Sequence, residues 1–258
     1  MRIVDAHLHL GQPGVFFAPE TGLGALLAHL DRLGIDAAVC TDQRSVTCGC
    51  ADGLTGLQSV FEESHGRVHY LGVFHPERAQ VCLRAMAGAL TCPGFAGVKI
   101  HPTFHRMPAD APGYAPVWRF AAEHGLPILA HSWSVSEHNP AQQLSVPTRF
   151  EAYVREFPGV RLVLGHTGGR GREQADAIRM AREYPSVYVD IAGDVFCAGL
   201  MERLAPIADK VLFGSDYPWL DIRANLTRVL FAAIPATAKE RILGGTAIEV
   251  YRMDGAPC

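Results

Sequence analysis

The sequence predicts an α/β barrel of eight strand–helix units, the (β/α)8 or TIM-barrel fold, with a C-terminal helix. Short apolar runs alternate with segments of helical periodicity along the chain, which is typical of parallel strands joined by helical crossovers. The length of 258 residues suits one barrel of about 250 residues. Polar residues directly follow several apolar runs, at the strand ends where barrels collect their functional groups. We therefore expect residues 1–258 to form one domain.

The eight predicted strands are short, nearly continuous apolar runs, as expected of parallel strands buried on both faces. They span residues 2–10, 35–40, 68–74, 95–100, 127–131, 160–166, 187–191 and 211–216. Apolar residues at helical spacing lie between them. The predicted helices span residues 22–33, 54–64, 78–90, 116–123, 147–156, 172–183, 199–207, 222–233 and 238–251. An open doubly wound sheet is the alternative, and the polar strand ends make it less favourable.

Composition and charge exclude several classes of protein. Hydrophobic residues form 48% and charged residues 19% of the chain, which supplies a core and is not a disordered composition. The net charge is −3 with no run of Lys or Arg, which argues against nucleic acid or an anionic membrane as the main partner. The sequence shows no signal-peptide h-region and no apolar run near about 18 residues. We expect a cytoplasmic protein with a small-molecule substrate, and a homo-oligomer is compatible with this interpretation.

The seven cysteines are scattered and odd in number, so we expect reduced thiols in a cytosolic chain. Cys48 and Cys50 are the only close pair, and no second pair follows at zinc-ribbon spacing. We interpret these two cysteines as loop thiols.

The opening stretch carries the first chemical signal. His7 and His9 lie two residues apart in a predicted strand, so their side chains point to the same face. Their separation of about 6.6 Å along the strand lets both imidazoles tilt onto one cation with bonds of about 2.0–2.1 Å. The alternative is a pair of ordinary strand histidines.

Further ionisable residues stand at the ends of later predicted strands. They are Lys99 and His101 on the fourth strand, His131 on the fifth, His166 on the sixth and Asp216 on the eighth. Such groups are costly at the mouth of an apolar barrel unless they are paired or coordinated. Several nitrogen ligands and one carboxylate suit Zn²⁺, and Mn²⁺ or Fe²⁺ are compatible. A hydrogen-bonded core histidine is the alternative for His131 or His166 taken alone.

Five segments together resemble a known family. They are Asp5-Ala6-His7-Leu8-His9, Gly97-Val98-Lys99-Ile100-His101-Pro102, Leu129-Ala130-His131-Ser132, Gly165-His166-Thr167-Gly168-Gly169 and Phe213-Gly214-Ser215-Asp216-Tyr217-Pro218. This arrangement resembles the amidohydrolase superfamily, and within it the amidohydrolase-related branch of small hydrolases, lactonases and metal-dependent decarboxylases. The resemblance runs from end to end of the chain. Residues 243–247 are similar to the closing helix of that family, with Thr246 where Asn is commoner.

The resemblance implies a ligand set. His7, His9, His131 and Asp216 would hold one metal, and His166 would act beside it as an acid, a base or a polarising group. In binuclear members a lysine of the fourth strand is carbamylated and bridges two metals, which here would be Lys99, with His131 and His166 on the second metal. We favour one metal. The alternative for Lys99 is an amine that pairs with a carboxylate or anchors an anionic substrate.

The leading functional prediction is a metal-dependent hydrolase of a small amide, lactone or ester-like substrate. A metal-activated water would attack the carbonyl, with Asp216 and His166 as the catalytic residues. The first alternative is a metal-dependent non-oxidative decarboxylase, a lyase, of a small unsaturated or aromatic carboxylic acid. The second alternative is a barrel that binds a metal or ligand without turnover.

Candidate substrate contacts flank the ligand strands. Arg170 can meet a carboxylate through a bidentate pair, although a solvated loop arginine fits the sequence nearly as well. Trp133, Tyr217 and Trp219 are candidates for an aromatic wall, with plain packing as the alternative. His101 and Lys99 complete this set. Specificity is expected to depend on the loops at residues 11–21, 43–53 and 103–113.

Overall fold

A computed structural model describes residues 1–14, 16–47, 51–193 and 197–253. Eight parallel strands form one sheet in the order β1 to β8. Backbone hydrogen bonds from Ala6 N to Phe213 O at 2.8 Å and from Asp216 N to His7 O at 2.9 Å bring the segment after β8 against β1. The sheet is therefore a nearly closed barrel, and the predicted (β/α)8 fold is confirmed.

The strands alternate with helices along the chain as predicted. They are β1 Val4–Leu10, β2 Ala37–Asp42, β3 Val68–Val73, β4 Phe95–Ile100, β5 Ile128–Ala130, β6 Leu162–Leu164, β7 Val187–Asp190 and β8 Val211–Leu212. The predictions for β6 and β8 were too long at their C-terminal ends. The backbone turns to positive φ at His166, Thr167 and Asp216, with values of 61°, 47° and 61°, so the strand ladder cannot continue there.

Twelve α-helices occur in the described part of the chain. They are α1 Leu23–Leu33, α2 Gln43–Thr47, α3 Ala51–Glu63, α4 Ala79–Ala89, α5 Pro102–His105, α6 Ala115–His124, α7 Glu151–Glu156, α8 Gly171–Glu183, α9 Leu200–Leu204, α10 Ile222–Leu230, α11 Ala236–Glu240 and α12 Thr246–Tyr251. The short helices α2 and α5 lie in loops and were not predicted. A π-helical segment, Arg241–Gly245, separates α11 from α12, which divides the closing helix predicted at 238–251. None of the described helices is both long and apolar enough to cross a membrane.

The core has two layers. The larger cluster includes Leu26 of α1, Met86 of α4 and Trp118 of α6, all fully buried with strand residues. The smaller cluster joins residues of the strands to α12, and its members include Val4, Leu71, Leu129, Val163, Leu212 and Val250. These strand residues fill the barrel from the side that α12 covers. His131 follows Leu129 by two residues, so it lies on the same inward face of its strand, one layer higher.

No disulfide joins the described cysteines Cys40, Cys82, Cys92 and Cys197. Cys48 and Cys50 lie outside the described residues, so their interpretation as loop thiols stays a prediction.

Candidate metal centre

Two histidines of β1 reach the barrel interior through an irregularity in the strand. The register with β2 shifts between Asp5 and Leu8, so that β1 has one residue more than its partner there. Such a bulge changes which side chains face inward. Ala6 belongs to the cluster inside the barrel, and beyond the bulge His7 and His9 line the cavity. Both imidazoles are buried, with exposures of 1% and 5%.

Asp5 fixes the backbone at this bulge. Its Oδ1 accepts hydrogen bonds from His7 N at 3.3 Å and from Ser215 N at 3.0 Å. Burial raises the pKa of Asp5 to about 7. Asp5 thereby links β1 to the segment that carries Asp216.

Three imidazoles are held on their outer side by an oxygen atom. The contacts are His7 Nδ1 to Asp190 Oδ2 at 2.8 Å, His9 Nδ1 to Thr41 Oγ1 at 2.5 Å and His166 Nδ1 to Ala192 O at 3.0 Å. A carbonyl only accepts, so Nδ1 of His166 carries the proton, and Nδ1 of His7 carries one when the Asp190 carboxylate is ionised. Burial lowers the pKa of His7 and of His9. The inner nitrogen of His7, Nε2, therefore keeps a lone pair for the cavity, the arrangement that metal-binding histidines show, whereas His9 Nε2 faces Asp216 Oδ1 at 3.3 Å.

Asp216 supplies the carboxylate beside these nitrogens. Its Oδ1 lies 3.3 Å from His9 Nε2 and 3.8 Å from His7 Nε2. Burial alone would raise the pKa of Asp216, but the nearby His166, the hydrogen bond from His9 and the imidazole of His7 lower it to about 2. The group is therefore ionised at neutral pH.

Three of the four predicted ligands come together. One ligand atom each from His7, His9 and Asp216 lies within 4.8 Å of the others, and His7, His166 and Asp190 form a second such group. Among the described residues, no group with this spacing includes His131. Neutral imidazole nitrogens and an ionised carboxylate are the donors that Zn²⁺ and related divalent cations use. The residues present therefore fit a divalent metal.

His131 and His166 face each other across the other half of the site. His131 Nδ1 lies 3.1 Å from His166 Nε2, and His131 Nε2 lies 3.0 Å from Gln142 Oε1. Gly193 leaves room for His166, since a Cβ there would lie 2.6 Å from His166 Nδ1. Its φ of +86° is also strained for any other residue. This backbone approach determines where the His166 ring lies.

Lys99 reaches the same cavity from β4. Its side chain is 1% exposed, and Nζ lies 2.9 Å from His7 Nε2. Burial lowers the pKa of Lys99 to about 8, against the opposing effect of Asp190 and Asp216. A lowered pKa makes the neutral amine accessible, as either carbamylation or an amine role requires.

These groups line a cavity of about 330 Å³ at the C-terminal ends of the strands. Its lining is His7, His9, Gln43, Val46, Lys99, His101, Thr103, Phe104, His131, Asn139, Gln142, His166, Asp216 and Trp219. A larger groove of about 860 Å³ lies outside the barrel along α8 and α9. That groove contains none of the clustered histidines, and Arg179 in it is ion-paired with Glu151 and Glu183.

The predicted substrate residues divide into two groups. His101 lines the cavity and stacks on His131, with ring centroids 3.9 Å apart and an interplanar angle of 10°. Trp133 meets the ring of His166 edge-on at 5.1 Å and supports it from outside the cavity lining. The hydroxyl of Tyr217 donates to Glu20 O, and Arg170 is exposed just before α8. Neither Tyr217 nor Arg170 is among the described lining residues.

Sequence reasoning missed several polar lining residues. Thr103 lies in one of the loops expected to set specificity, but Asn139 and Gln142 follow β5 in a loop without a chemical motif. Gln142 belongs to a 3₁₀ turn, Pro140–Leu144. The proline and the polar run were the only local signals, and they indicate a turn rather than a site.

The barrel and its histidine–carboxylate cluster are typical of metal-dependent enzymes. The sequence profile of a family described as Amidohydrolase matches residues 4–253. The chain therefore belongs to this amidohydrolase family, whose superfamily contains metal-dependent hydrolases and decarboxylases. No curated protein sequence matches the chain significantly.

Solved structures with similar folds include enzymes with different reactions. An uncharacterised TIM-barrel protein from Bordetella bronchiseptica shares 19% identity at a TM-score of 0.78, with 99% of this chain and 100% of that chain covered. The 5-carboxyvanillate decarboxylase from Sphingomonas paucimobilis shares 16% at 0.73, covering 97% and 99%. A dihydroxybenzoic acid decarboxylase from Polaromonas, solved with manganese and 2-nitroresorcinol, shares 13% at 0.78, covering 99% and 98%. At these identities the likeness concerns the fold.

Proposed function

We propose that this chain is a metal-dependent hydrolase of a small amide, lactone or ester-like substrate, with residues 1–258 acting as one catalytic domain. The observation that carries this proposal is the position of Asp216. Its Oδ1 lies beside the two β1 histidines, and the ionised carboxylate lines the cavity. One oxygen can therefore bind a metal while the other accepts a proton in the cavity.

His7, His9 and Asp216 would hold the cation, with His131 as the fourth ligand. When bound, the cation supplies Lewis acidity and lowers the pKa of a coordinated water to about 7. The nitrogen-rich donor set favours Zn²⁺ over Mg²⁺ or Ca²⁺. Mn²⁺ and Fe²⁺ are the alternatives, and the manganese in the Polaromonas enzyme supports including Mn²⁺.

Asp216 and His166 would perform the proton transfers. The ionised Asp216 accepts the proton of the attacking water. His166 lies across the cavity with its Nε2 inward, where it can polarise the substrate carbonyl or pass a proton to the leaving group. Lys99 and His101 would contact the substrate. Arg170, Tyr217 and Trp133 have no direct role in this proposal, because the described cavity lining does not include them.

A binuclear centre is the alternative form of the same proposal. Carbamylation would turn the Lys99 amine into an anionic bridging ligand, and His131 with His166 would then hold a second cation. The 3.1 Å separation of His131 Nδ1 and His166 Nε2 suits two nitrogens on one ion. We favour one cation per chain, since the Lys99 amine directly faces His7.

Non-oxidative decarboxylation of an aromatic or unsaturated acid is the second candidate. It is supported by a group of rings in the cavity, in which His101 stacks on His131 at 3.9 Å and Phe104 lies 4.1 Å from His101 at an interplanar angle of 41°. A planar substrate can stack on such rings. Two of the proteins with similar folds are named as decarboxylases, which also supports this second candidate.

The test is turnover by metal-loaded protein on a panel of esters, lactones, amides and aromatic acids. Metal-dependent net addition of water supports the hydrolase. Release of CO2 from an acid, without hydrolysis of any other compound, would replace it with the decarboxylase. Metal binding without either reaction would favour a ligand-binding barrel.

We also propose a cytoplasmic location, where Cys40, Cys82, Cys92 and Cys197 would stay reduced.

A further inference from the structure

Gln142 is a buried polar residue at the edge of the candidate metal centre. It lies in the 3₁₀ turn after β5, is 7% exposed and lines the cavity. Its neighbour Gln143 is exposed to solvent. A buried amide is stable only when its polar atoms are hydrogen-bonded, so the contacts of Gln142 indicate what holds it there.

Three polar groups lie within hydrogen-bond distance of the Gln142 side-chain oxygen. Oε1 lies 3.0 Å from Thr103 Oγ1 and from Ser145 Oγ, and since these hydroxyls also share a hydrogen bond of 2.7 Å, one of them at a time donates to Oε1. His131 Nε2 lies at the same distance of 3.0 Å. An amide oxygen carries no proton and only accepts. In this orientation of the amide, His131 donates to Oε1 from Nε2.

A proton on Nε2 leaves a lone pair on the other nitrogen of His131. That nitrogen, Nδ1, lies 3.1 Å from His166 Nε2, which also has a lone pair because His166 Nδ1 donates to Ala192 O. Two lone pairs at this distance repel unless a cation or a proton lies between them. In the binuclear form of the site, two nitrogens bound to one Zn²⁺ with bonds of about 2.1 Å would have a comparable separation.

We propose that Gln142 is a positioning residue, which fixes the tautomer and ring orientation of His131 so that Nδ1 faces the metal. Thr103 and Ser145 hold the Gln142 amide in the required orientation. Gln142 thereby orients the ring of His131, as Asp190 orients that of His7 and Ala192 O that of His166. This inference goes beyond the proposed function, because it concerns how the chain prepares a ligand rather than which reaction follows.

The first measurement is the tautomer of His131 in metal-free protein, from two-bond nitrogen–proton correlation of the imidazoles. The His131 signals are assigned with His131→Asn. Wild type should show the proton on Nε2. Gln142→Met removes the acceptor at similar volume and should give a mixture or the Nδ1 tautomer, whereas Gln142→Glu keeps an acceptor oxygen and should retain the wild-type tautomer.

The second measurement is Zn²⁺ affinity by competition with a chelator. Gln142→Met should weaken binding about 10- to 100-fold, the usual effect of losing a partner behind a metal-binding histidine. Gln142→Glu should retain binding, and Gln143→Met is the matched control on the exposed neighbour. Circular dichroism and thermal melting identify any variant that fails to fold.

An unchanged His131 tautomer together with wild-type Zn²⁺ affinity in Gln142→Met would overturn the inference. If wild type binds no Zn²⁺ at all, the proposed metal-dependent function fails instead. The tautomer measurement would still decide the role of Gln142, because it uses metal-free protein.

Discussion

The two halves of the candidate centre are built differently. On the side of β1 and β8, His7, His9 and Asp216 bring their ligand atoms within 4.8 Å of one another, and buried strand residues hold the two histidines from behind. On the side of β5 and β6, His131 and His166 face each other, and Gln142 from a loop turn contacts His131. The first half depends on the barrel itself, and the second half also depends on a loop. We therefore expect changes in the first half to abolish metal binding and changes in the second half to modulate it.

The largest expected effect comes from the double variant His7→Ala/His9→Ala. It removes two of the three clustered nitrogen and oxygen donors, so the metal content of the purified protein should fall from one cation per chain to background. Activity should disappear with it. Elemental analysis of protein purified without chelator or added metal measures the change.

The control is His138→Ala, which removes an exposed histidine from the loop after β5 and should leave the metal content unchanged. Metal retained in the double variant would show that the second half binds the cation alone, and the proposed difference between the halves would be wrong.

Asp216→Asn should lower the metal content less than the double variant does, but it should strongly lower the turnover rate. Asparagine keeps one ligand oxygen but cannot accept a proton, so kcat should fall about 10²- to 10⁴-fold, the contribution typical of a general base. Metal content measured on the same preparation separates the two roles. A variant that keeps its metal and its kcat would exclude Asp216 as the base.

The same comparison shows what the sequence could reveal. The i, i+2 spacing correctly predicted that His7 and His9 share a face, and the strand ends correctly located Lys99, His101, His131 and His166 at one cavity. Their spacing gave no sign of the bulge in β1. Without it Ala6 and His7 could not both contribute to the interior, because adjacent side chains of a regular strand point to opposite faces.

The loop contribution could not be predicted for another reason. Gln142 reaches His131 only because the turn at Pro140–Leu144 folds back over β5, which depends on tertiary contacts through Thr103 and Ser145. Arg170 is the converse case. It follows a ligand strand closely in sequence, but the turn at Gly165–Gly168 and the start of α8 place it at the surface.

Lys99 lies between the two halves, and its substitution decides how many cations they hold. Lys99→Met should retain one cation per chain if the amine only contacts His7 and substrate. If Lys99 is a carbamylated bridge, wild type should carry two cations, the second should depend on added bicarbonate, and the variant should drop to one. Metal content with and without bicarbonate distinguishes the two outcomes.

The smallest expected effect is on acid stability in the second half of the centre. Burial, together with neighbouring His131 and Lys99, lowers the pKa of His101 well below its ordinary value of 6.5. In metal-free protein the unfolded chain therefore binds a proton that the native state excludes. The contribution of the neutral His101 to the free energy of unfolding is fully present above about pH 6.5. It decreases as the pH falls, by up to about 1.4 kcal/mol per pH unit. Glutamine does not titrate, so His101→Gln should remove this contribution to the pH dependence of stability. Its free energy of unfolding, measured in urea between about pH 7 and pH 5, should fall less steeply than that of wild type. The exposed Gln143 provides the control, since Gln143→Met changes no titratable group and should leave the slope unchanged. An identical slope in His101→Gln would mean that His101 takes up a proton in the native state, and that the ring stack on His131 does not depend on a neutral imidazole.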